Sequence, residues 1–448
     1  MAPGSQRVLS PTRPVFAPGR RPSLIAVVAV GLLLGGAAIN TVGLRKDIND
    51  FEWTWLLSRM LLNGDRAYDP ASAQAASVSL LDRDLTAGRR LVPAYFPATG
   101  VVLAPFGLMP FKLASPLFVT ASFILLLLSM WTLMAAFPPG LALEYRCLTV
   151  GLVSCMACTR WAFTSKQVGP LLVFATVAFL VALTEQRAAR TVLWGVVGIS
   201  LKVTLALPFV GVLLALRRFR WALAMLGLFL LLNTWGYQRM GGVVAAASQH
   251  LAVQARVGDL RFSIDAPDPR VPDALPRVDL EFLLNAVLPF GQLALIVSRL
   301  ITAALAALTL LLLFRDRETP RRPSIGLRLY TAFFTALGLF VVYHHHYDTI
   351  VLLVPAAILL PIRFSGWAEV GRRLFLVASL LYPGLFFISA ITWARAVGGE
   401  LAAVFVKELG AISVLTALLA AIGMLWLHVR PTAASGPSSK GPPDPAAA

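Results

Sequence analysis

The sequence predicts an all-α protein, a polytopic bundle of membrane helices. Hydrophobic residues make up 58% of its 448 positions and charged residues only 14%, and the mean hydropathy is +0.75, whereas soluble domains are about half apolar and a quarter charged. Apolar runs at residues 24–43, 117–137 and 293–314 are each long enough to cross a bilayer as an α-helix. The alternating pattern of a transmembrane barrel is absent, so helices are the expected spanning form.

One membrane domain, residues 23–430, is expected to account for most of the chain. Its first apolar run follows Arg20 and Arg21, as in a signal peptide. The run is longer than a signal peptide needs and no small-residue cleavage site follows it, so we expect a retained helix. Residues 1–22 and 431–448 lack apolar periodicity, which predicts disordered tails.

The distribution of charge predicts the orientation in a cell membrane. The tail before the first run holds four arginines and no acid, so the positive-inside rule places it in the cytoplasm. Alternation of the spans leaves both termini cytoplasmic and two long connections outside, at about residues 44–100 and 237–283, where acids and bases are nearly balanced. The net charge of +17 is thus concentrated on one side, and no nucleic-acid partner is expected.

Residues 191–216 do not fit one ordinary span. Arginines flank both ends, which favours the cytoplasm for both, yet the segment is long enough for only one crossing and has Lys202 in its middle. Two short or re-entrant helices with Lys202 near the turn would satisfy both facts. Ten ordinary spans and this pair give about twelve membrane segments.

Candidate catalytic carboxylates stand at the start of the first external connection. Asp47 and Asp50 are three residues apart and share a face if a helix has already begun. A carboxylate at the bilayer edge can act as a general base if its surroundings raise its pKa; ordinary solvated acids after a helix end are the alternative. Trp53 and Trp55 are typical of the interface, and the run to Leu62 predicts an amphipathic helix along the membrane surface.

Other polar groups flank the predicted spans. Lys166 can meet a phosphate or simply snorkel to the interface. His344, His345 and His346 stand at the external mouth of a late helix and cannot all face one way. Ionisable groups at the edge of a span are functional candidates, with a metal patch or a hydrated interface as alternatives; no spacing supplies further metal ligands, so no metal is expected.

Motifs for soluble cofactors are absent. The sequence has no P-loop, no dinucleotide fingerprint and no HExxH zinc motif, so no cofactor is expected. Cys147, Cys155 and Cys158 lie in one apolar run without a second ligand pair, which favours packing over metal or redox chemistry.

Taken in order, these features resemble glycosyltransferase family 87, integral membrane enzymes of the GT-C fold that include polyprenol-phosphate-mannose-dependent α-mannosyltransferases. The resemblance extends from Asp50 to about Pro361 and lies in the order of the features. They are an aspartate after the first helix, the Gly64–Asp69 turn, Tyr95-Phe96-Pro97, Gln167 after a short helix, Lys202 in a broken segment and the His-Tyr-Asp run. The chain departs from the family at Ala98, where Tyr-Pro-Pro has its second proline, and at Lys166 to Gly169, where Gly-Gln-x-Asn is usual.

The resemblance implies a GT-C-type bundle whose external loops carry the active site. A sugar, with mannose as the first candidate, would pass with inversion from a polyprenyl-phosphate donor to a lipid-linked or glycan acceptor. Asp50 would be the catalytic base, with Asp47 in reserve, and the implied substrate-binding residues are Tyr95, Lys166, Gln167, Lys202, His344, His345 and His346. Two alternatives stay open: a transporter or flippase of a lipid-linked saccharide, for which repeated halves would be typical, and a non-catalytic assembly subunit.

Overall fold

The computed structural model describes residues 22–41, 50–85, 94–137, 143–258, 268–270, 277–288, 291–316, 319, 323–342, 344–385 and 388–429. Asp47 lies outside the described residues. So do the two predicted tails, except for Pro22.

Helices and short 3₁₀ turns make up the described chain, which forms no β-strand; one isolated antiparallel bridge joins Arg277 to His345. Two 3₁₀ segments, Val203–Leu205 and His346–Leu352, matter for the site. The α-helices are α1 (Pro22–Thr41), α2 (Phe51–Asn63), α3 (Pro70–Leu81), α4 (Pro97–Val102), α5 (Ala104–Gly107), α6 (Phe111–Ala136), α7 (Leu143–Cys155), α8 (Ala157–Thr164), α9 (Gly169–Thr184), α10 (Ala188–Leu201), α11 (Leu207–Ala215), α12 (Phe219–Arg239), α13 (Val243–Gly258), α14 (Leu280–Val287), α15 (Gly291–Arg315), α16 (Pro323–Val341), α17 (Leu353–Leu359), α18 (Trp367–Leu385) and α19 (Ile388–Val429).

Several helices are long and apolar enough to cross a membrane, which confirms an all-α protein of the membrane type. Within the described residues there are five such helices, or six if α7 and α8, bent by 54° relative to each other, form one span. The five fall in α6, α12, α15, α16 and α19. Shorter apolar helices include most of α1, all of α9 and α10, and α11 with the 3₁₀ turn before it. The count of about twelve membrane segments stays a prediction.

Close packing joins α1 to α7. Gly36 of α1 lies against Ser154 of α7, where an added Cβ would come within 2.9 Å of the Ser154 backbone carbon. Asn40 donates a hydrogen bond to the Ser154 carbonyl at 3.1 Å, and the Cys155 thiol donates to the Leu32 carbonyl at 3.0 Å. Small residues allow two helices to approach this closely in a membrane, and all three cysteines of the chain are free thiols.

The predicted break at Lys202 is present. α10 ends at Leu201, Lys202 has extended backbone angles (φ −155°, ψ 95°), and the 3₁₀ segment Val203–Leu205 leads into α11. The ring of Phe209 in α11 packs onto Gly198 of α10, where a side chain would leave it no room. The pair of short helices therefore folds back on itself at Lys202, and whether it is re-entrant stays a prediction.

The segment predicted to be an amphipathic surface helix is a helix, α2, but it is buried inside the protein and does not lie along the membrane surface. Its side chains from Phe51 to Ser58 are all buried. Trp55 is 2% exposed and its Nε1 donates to the carbonyl oxygens of Phe106 and Met109 at 3.1 and 3.2 Å. Other elements cover α2, since α4, α5 and α6 all pack against it. An amphipathic pattern indicates one apolar face but not what will cover the other.

Candidate functional site

Polar side chains from distant parts of the chain converge where several helices end. Asp50 stands at the beginning of α2, the Ser165–Gln167 connection joins α8 to α9, and Lys202 marks the break after α10. His344 follows the end of α16. We call Asp50 with Gln167 the Asp50 group, and Lys202 with His344 and Asp348 the Asp348 group.

The Asp50 group joins the first helix connection to the α8–α9 connection. The Asp50 amide donates to the Ser165 carbonyl at 3.1 Å, and Gln167 Nε2 donates to the Asp50 carboxylate. Gln167 is buried and Asp50 is half-buried; the Asp50 side chain does not cap α2. A side-chain amide orients a carboxylate through its hydrogen bond and carries no charge of its own.

Lys166 turns inward from the same connection. Its backbone lies in the left-handed region (φ 49°), which is uncommon for a residue other than glycine. Its ammonium donates to the Ser115 hydroxyl of α6 at 3.0 Å, and the residue is only 6% exposed. Snorkelling to the membrane surface is therefore wrong for Lys166, because the side chain points into the protein.

The Asp348 group connects the broken segment to the late histidines. Lys202 Nζ lies 2.6 Å from both carboxylate oxygens of Asp348, and His344 Nδ1 lies 3.1 Å from one of them. The His345 amide also donates to this carboxylate, at 3.2 Å. The side chains of His344 and Asp348 are 0% and 3% exposed, and that of Lys202 is 19% exposed.

The ring of His344 contacts the Asp348 carboxylate through Nδ1. Burial lowers its pKa, although Asp348 acts in the opposite direction, so the ring is neutral near pH 7. With Nδ1 donating to Asp348, Nε2 is left as an acceptor; it has no hydrogen-bond partner among the described residues. His345 forms the backbone bridge to Arg277, and His346 begins the 3₁₀ segment that carries Asp348.

A second ion pair, between Arg277 and Asp279, contacts the backbone of His344 and was not predicted from the sequence. Arg277 forms a two-point contact with Asp279 at 2.8 and 2.9 Å, with both side chains buried. Asp279 also caps α14 through the Phe282 amide at 3.1 Å and accepts from the His344 amide at 3.4 Å. An aspartate before an apolar run is a recognisable helix start, but nothing in the sequence indicated its contact with His344.

Packing brings the two groups to the same end of the molecule. The 3₁₀ segment that carries Asp348 packs against α8 and α9, whose connection carries Gln167. The broken segment also contacts α4: the Thr99 hydroxyl donates to the carbonyl of Ser200, two residues before Lys202, at 2.5 Å. Tyr95, half-buried before α4, accepts a hydrogen bond from the Tyr68 hydroxyl on its carbonyl oxygen at 2.6 Å.

A buried histidine, His250, packs against the residues on either side of Tyr95. The ring of His250 in α13 stacks on Tyr68 at 4.4 Å and meets the edge of Phe96 at 4.8 Å. Its Nδ1 lies 2.6 Å from the Tyr237 hydroxyl, and its Nε2 lies 3.3 Å from the Ala94 carbonyl. Burial lowers the pKa of His250 and raises that of Tyr68, so both side chains are neutral near pH 7.

The two carboxylates at this end differ in burial. Asp348 is buried against the ammonium of Lys202, whereas Asp50 is half-buried and accepts a hydrogen bond from the Gln167 side-chain amide. Within the described part of the chain, no group of three or more His, Cys, Asp or Glu side chains could hold a metal ion.

Comparison with known proteins adds no assignment. No protein-family model matches the sequence, and no curated protein does so significantly. The geometry of the site is therefore the basis for a functional proposal.

Proposed function

We propose that the protein is a membrane glycosyltransferase of GT-C type that acts in glycolipid synthesis at the cell envelope. It would transfer a sugar, with mannose as the first candidate, from a polyprenyl-phosphate donor to a hydroxyl of a lipid-linked or glycan acceptor. The main support is Asp50, a half-exposed carboxylate oriented by Gln167 at the end of an apolar bundle. A lipid donor would reach such a site from the surrounding membrane.

The proposed reaction is a single displacement with inversion. Asp50 takes the proton from the acceptor hydroxyl as that oxygen forms its bond to the anomeric carbon. The bond from this carbon to the phosphate oxygen breaks, and its electron pair leaves with the polyprenyl phosphate. No co-reactant is required.

The leaving phosphate gains negative charge that donors near the site would stabilise. Lys202, at the break after α10, is one candidate cation, but its ammonium already contacts Asp348. It would therefore share its hydrogen atoms between Asp348 and the phosphate, since an ammonium has three donors. His344 and Asp348 would position Lys202, while Lys166 would contribute its charge from its buried position beside Ser115.

Asp50→Asn tests this proposal with little change of shape. We expect transfer from labelled polyprenyl-phosphate mannose to a membrane lipid extract to fall at least about a hundredfold, because the variant removes the base. Expression and donor binding should change little. Asp65→Asn is the matched control, since Asp65 is an exposed aspartate just beyond the other end of α2 and should keep full activity.

Asp47→Asn tests the reserve position. If Asp47 proves essential and Asp50 does not, Asp47 is the catalytic base and the proposed reaction is otherwise unchanged. Full activity in both variants would exclude chemistry at this connection. Absence of any transfer by wild type, together with movement of a lipid-linked saccharide across vesicles, would favour the transporter.

A further inference from the structure

A cleft lies at the end of the bundle opposite the Asp50 group. It has a volume of about 230 Å³ and opens between α6, α9 and α10. Gln167 precedes the first residue of α9, whereas Val181 and Glu185, which line the cleft, lie at its far end. With a rise of 1.5 Å per residue, the far end of the 16-residue helix α9 lies about 24 Å from its start, and the cleft extends back from that end along α9 as far as Phe174.

The wall of the cleft combines an apolar slot with a polar rim. Phe174 and Val177 supply apolar surface, and the Trp194 ring meets Phe174 edge-on at 5.1 Å. Ser129 and Thr132 of α6 add hydroxyl groups. An apolar slot next to an indole and hydroxyls suits a molecule with a chain and a polar head, as at a membrane interface.

Arg190 supplies the charge at this rim. It lines the cleft, is exposed, and has neither an ion pair nor a hydrogen bond within the part of the chain that the structure describes. Glu185 also lines the cleft, but it pairs with Arg187 at 2.9 Å. Because Arg187 balances Glu185, the charge of Arg190 is left as a net positive charge at the rim. The guanidinium of Arg190 is suited to two-point binding of a phosphate.

We propose that this cleft binds one anionic phospholipid, with its phosphate on Arg190 and an acyl chain along Phe174 and Val177. The volume is below the roughly 300–1,000 Å³ of sites that enclose a whole drug-sized ligand, so the cleft takes a headgroup with the start of a chain. This end is also the arginine-rich end that the positive-inside rule assigns to the cytoplasm, whose leaflet carries anionic lipids. The site is independent of the proposed transfer reaction.

Thermal unfolding of the purified chain in detergent micelles tests this site. Added dioleoylphosphatidylglycerol should raise the midpoint more than dioleoylphosphatidylcholine does. Arg190→Gln should lose at least half of that difference, while Arg220→Gln should keep it, because Arg220 is also exposed but lies outside the cleft. Equal shifts with both lipids in wild type, or equal loss in both variants, would overturn the proposal and leave Arg190 as an arginine that snorkels.

Fluorescence gives a second measurement that does not require the arginine variants. Phosphatidylglycerol with brominated chains should quench tryptophan emission more than brominated phosphatidylcholine at the same mole fraction. Ten tryptophans are present, so the contribution of Trp194 is taken as the difference between wild type and Trp194→Phe. Selective quenching that disappears in Trp194→Phe is the expected result; quenching that is unchanged in this variant would contradict lipid binding in the cleft.

Discussion

Lys202 and Asp348 are 146 residues apart in the chain and form a buried contact of 2.6 Å. Lys202→Met leaves the Asp348 carboxylate, 3% exposed, without its ammonium. Loss of one partner of a buried pair costs about 3–5 kcal/mol, so we expect a clear fall in the unfolding midpoint in detergent. The double variant Lys202→Met, Asp348→Asn removes both charges and should recover most of this loss. A double variant no more stable than Lys202→Met would show that the pair does not support the fold.

The same double variant separates folding from substrate binding. If stability returns but affinity for labelled polyprenyl phosphate stays low, the ammonium contacts the phosphate directly. If both return, Lys202 has a structural role, and another donor near the site must meet the leaving group.

His250 provides a test based on pH. Burial lowers its pKa in the folded protein, so the unfolded chain, with an ordinary value of about 6.5, takes up a proton more readily. Acid therefore favours unfolding, and stability should fall as the pH is lowered below about 7. His250→Gln keeps groups that can bond to Tyr237 and the Ala94 carbonyl but does not titrate, so its midpoint should depend less on pH. Equal slopes in wild type and variant between pH 7.5 and 5.5 would contradict this assignment.

Helix packing depends on single glycines in the contact of α1 with α7. Gly36 is buried against Ser154, whereas an added Cβ at Gly35 would have nothing within 4 Å. We expect Gly36→Leu to force the helices apart at a cost of about 1–3 kcal/mol, the usual scale of overpacking. Gly35→Leu should be nearly neutral, because a side chain at Gly35 meets open space. It is the matched control, since both variants replace a glycine of the same helix. Comparable midpoints for the two variants would mean that α1 and α7 do not pack in this way.

The sequence was informative about elements whose signal is local. The break at Lys202 could be predicted because a charge interrupts an apolar run with arginines at both ends. The burial of Trp55 could not, because its covering residues Phe106 and Met109 lie more than 50 positions away. Tryptophan is common both at interfaces and in cores, so residue type did not distinguish the two.

Orientation in the membrane is a property of the whole molecule, and it stays a prediction from charge asymmetry. In a variant without the three native cysteines, Ser79→Cys should react with an impermeant thiol reagent on intact cells. Ala189→Cys should react only after the membrane is opened. Both positions are exposed in the structure. Labelling of both from outside would overturn the assignment of cytoplasm and exterior, and with it the expected external position of Asp50.

What the sequence alone determined is the helical membrane class, the broken segment and the presence of an aspartate directly before α2. These follow from properties that each residue carries with it, namely hydropathy, charge and helix-forming pattern. Only the tertiary structure decided that Gln167 meets Asp50, that Lys202 pairs with Asp348 and that Arg277 and Asp279 close over His344. Such contacts join residues far apart in the chain, and which polar groups meet is decided by the packing of whole helices, because a buried charge must find its partner wherever the fold places one.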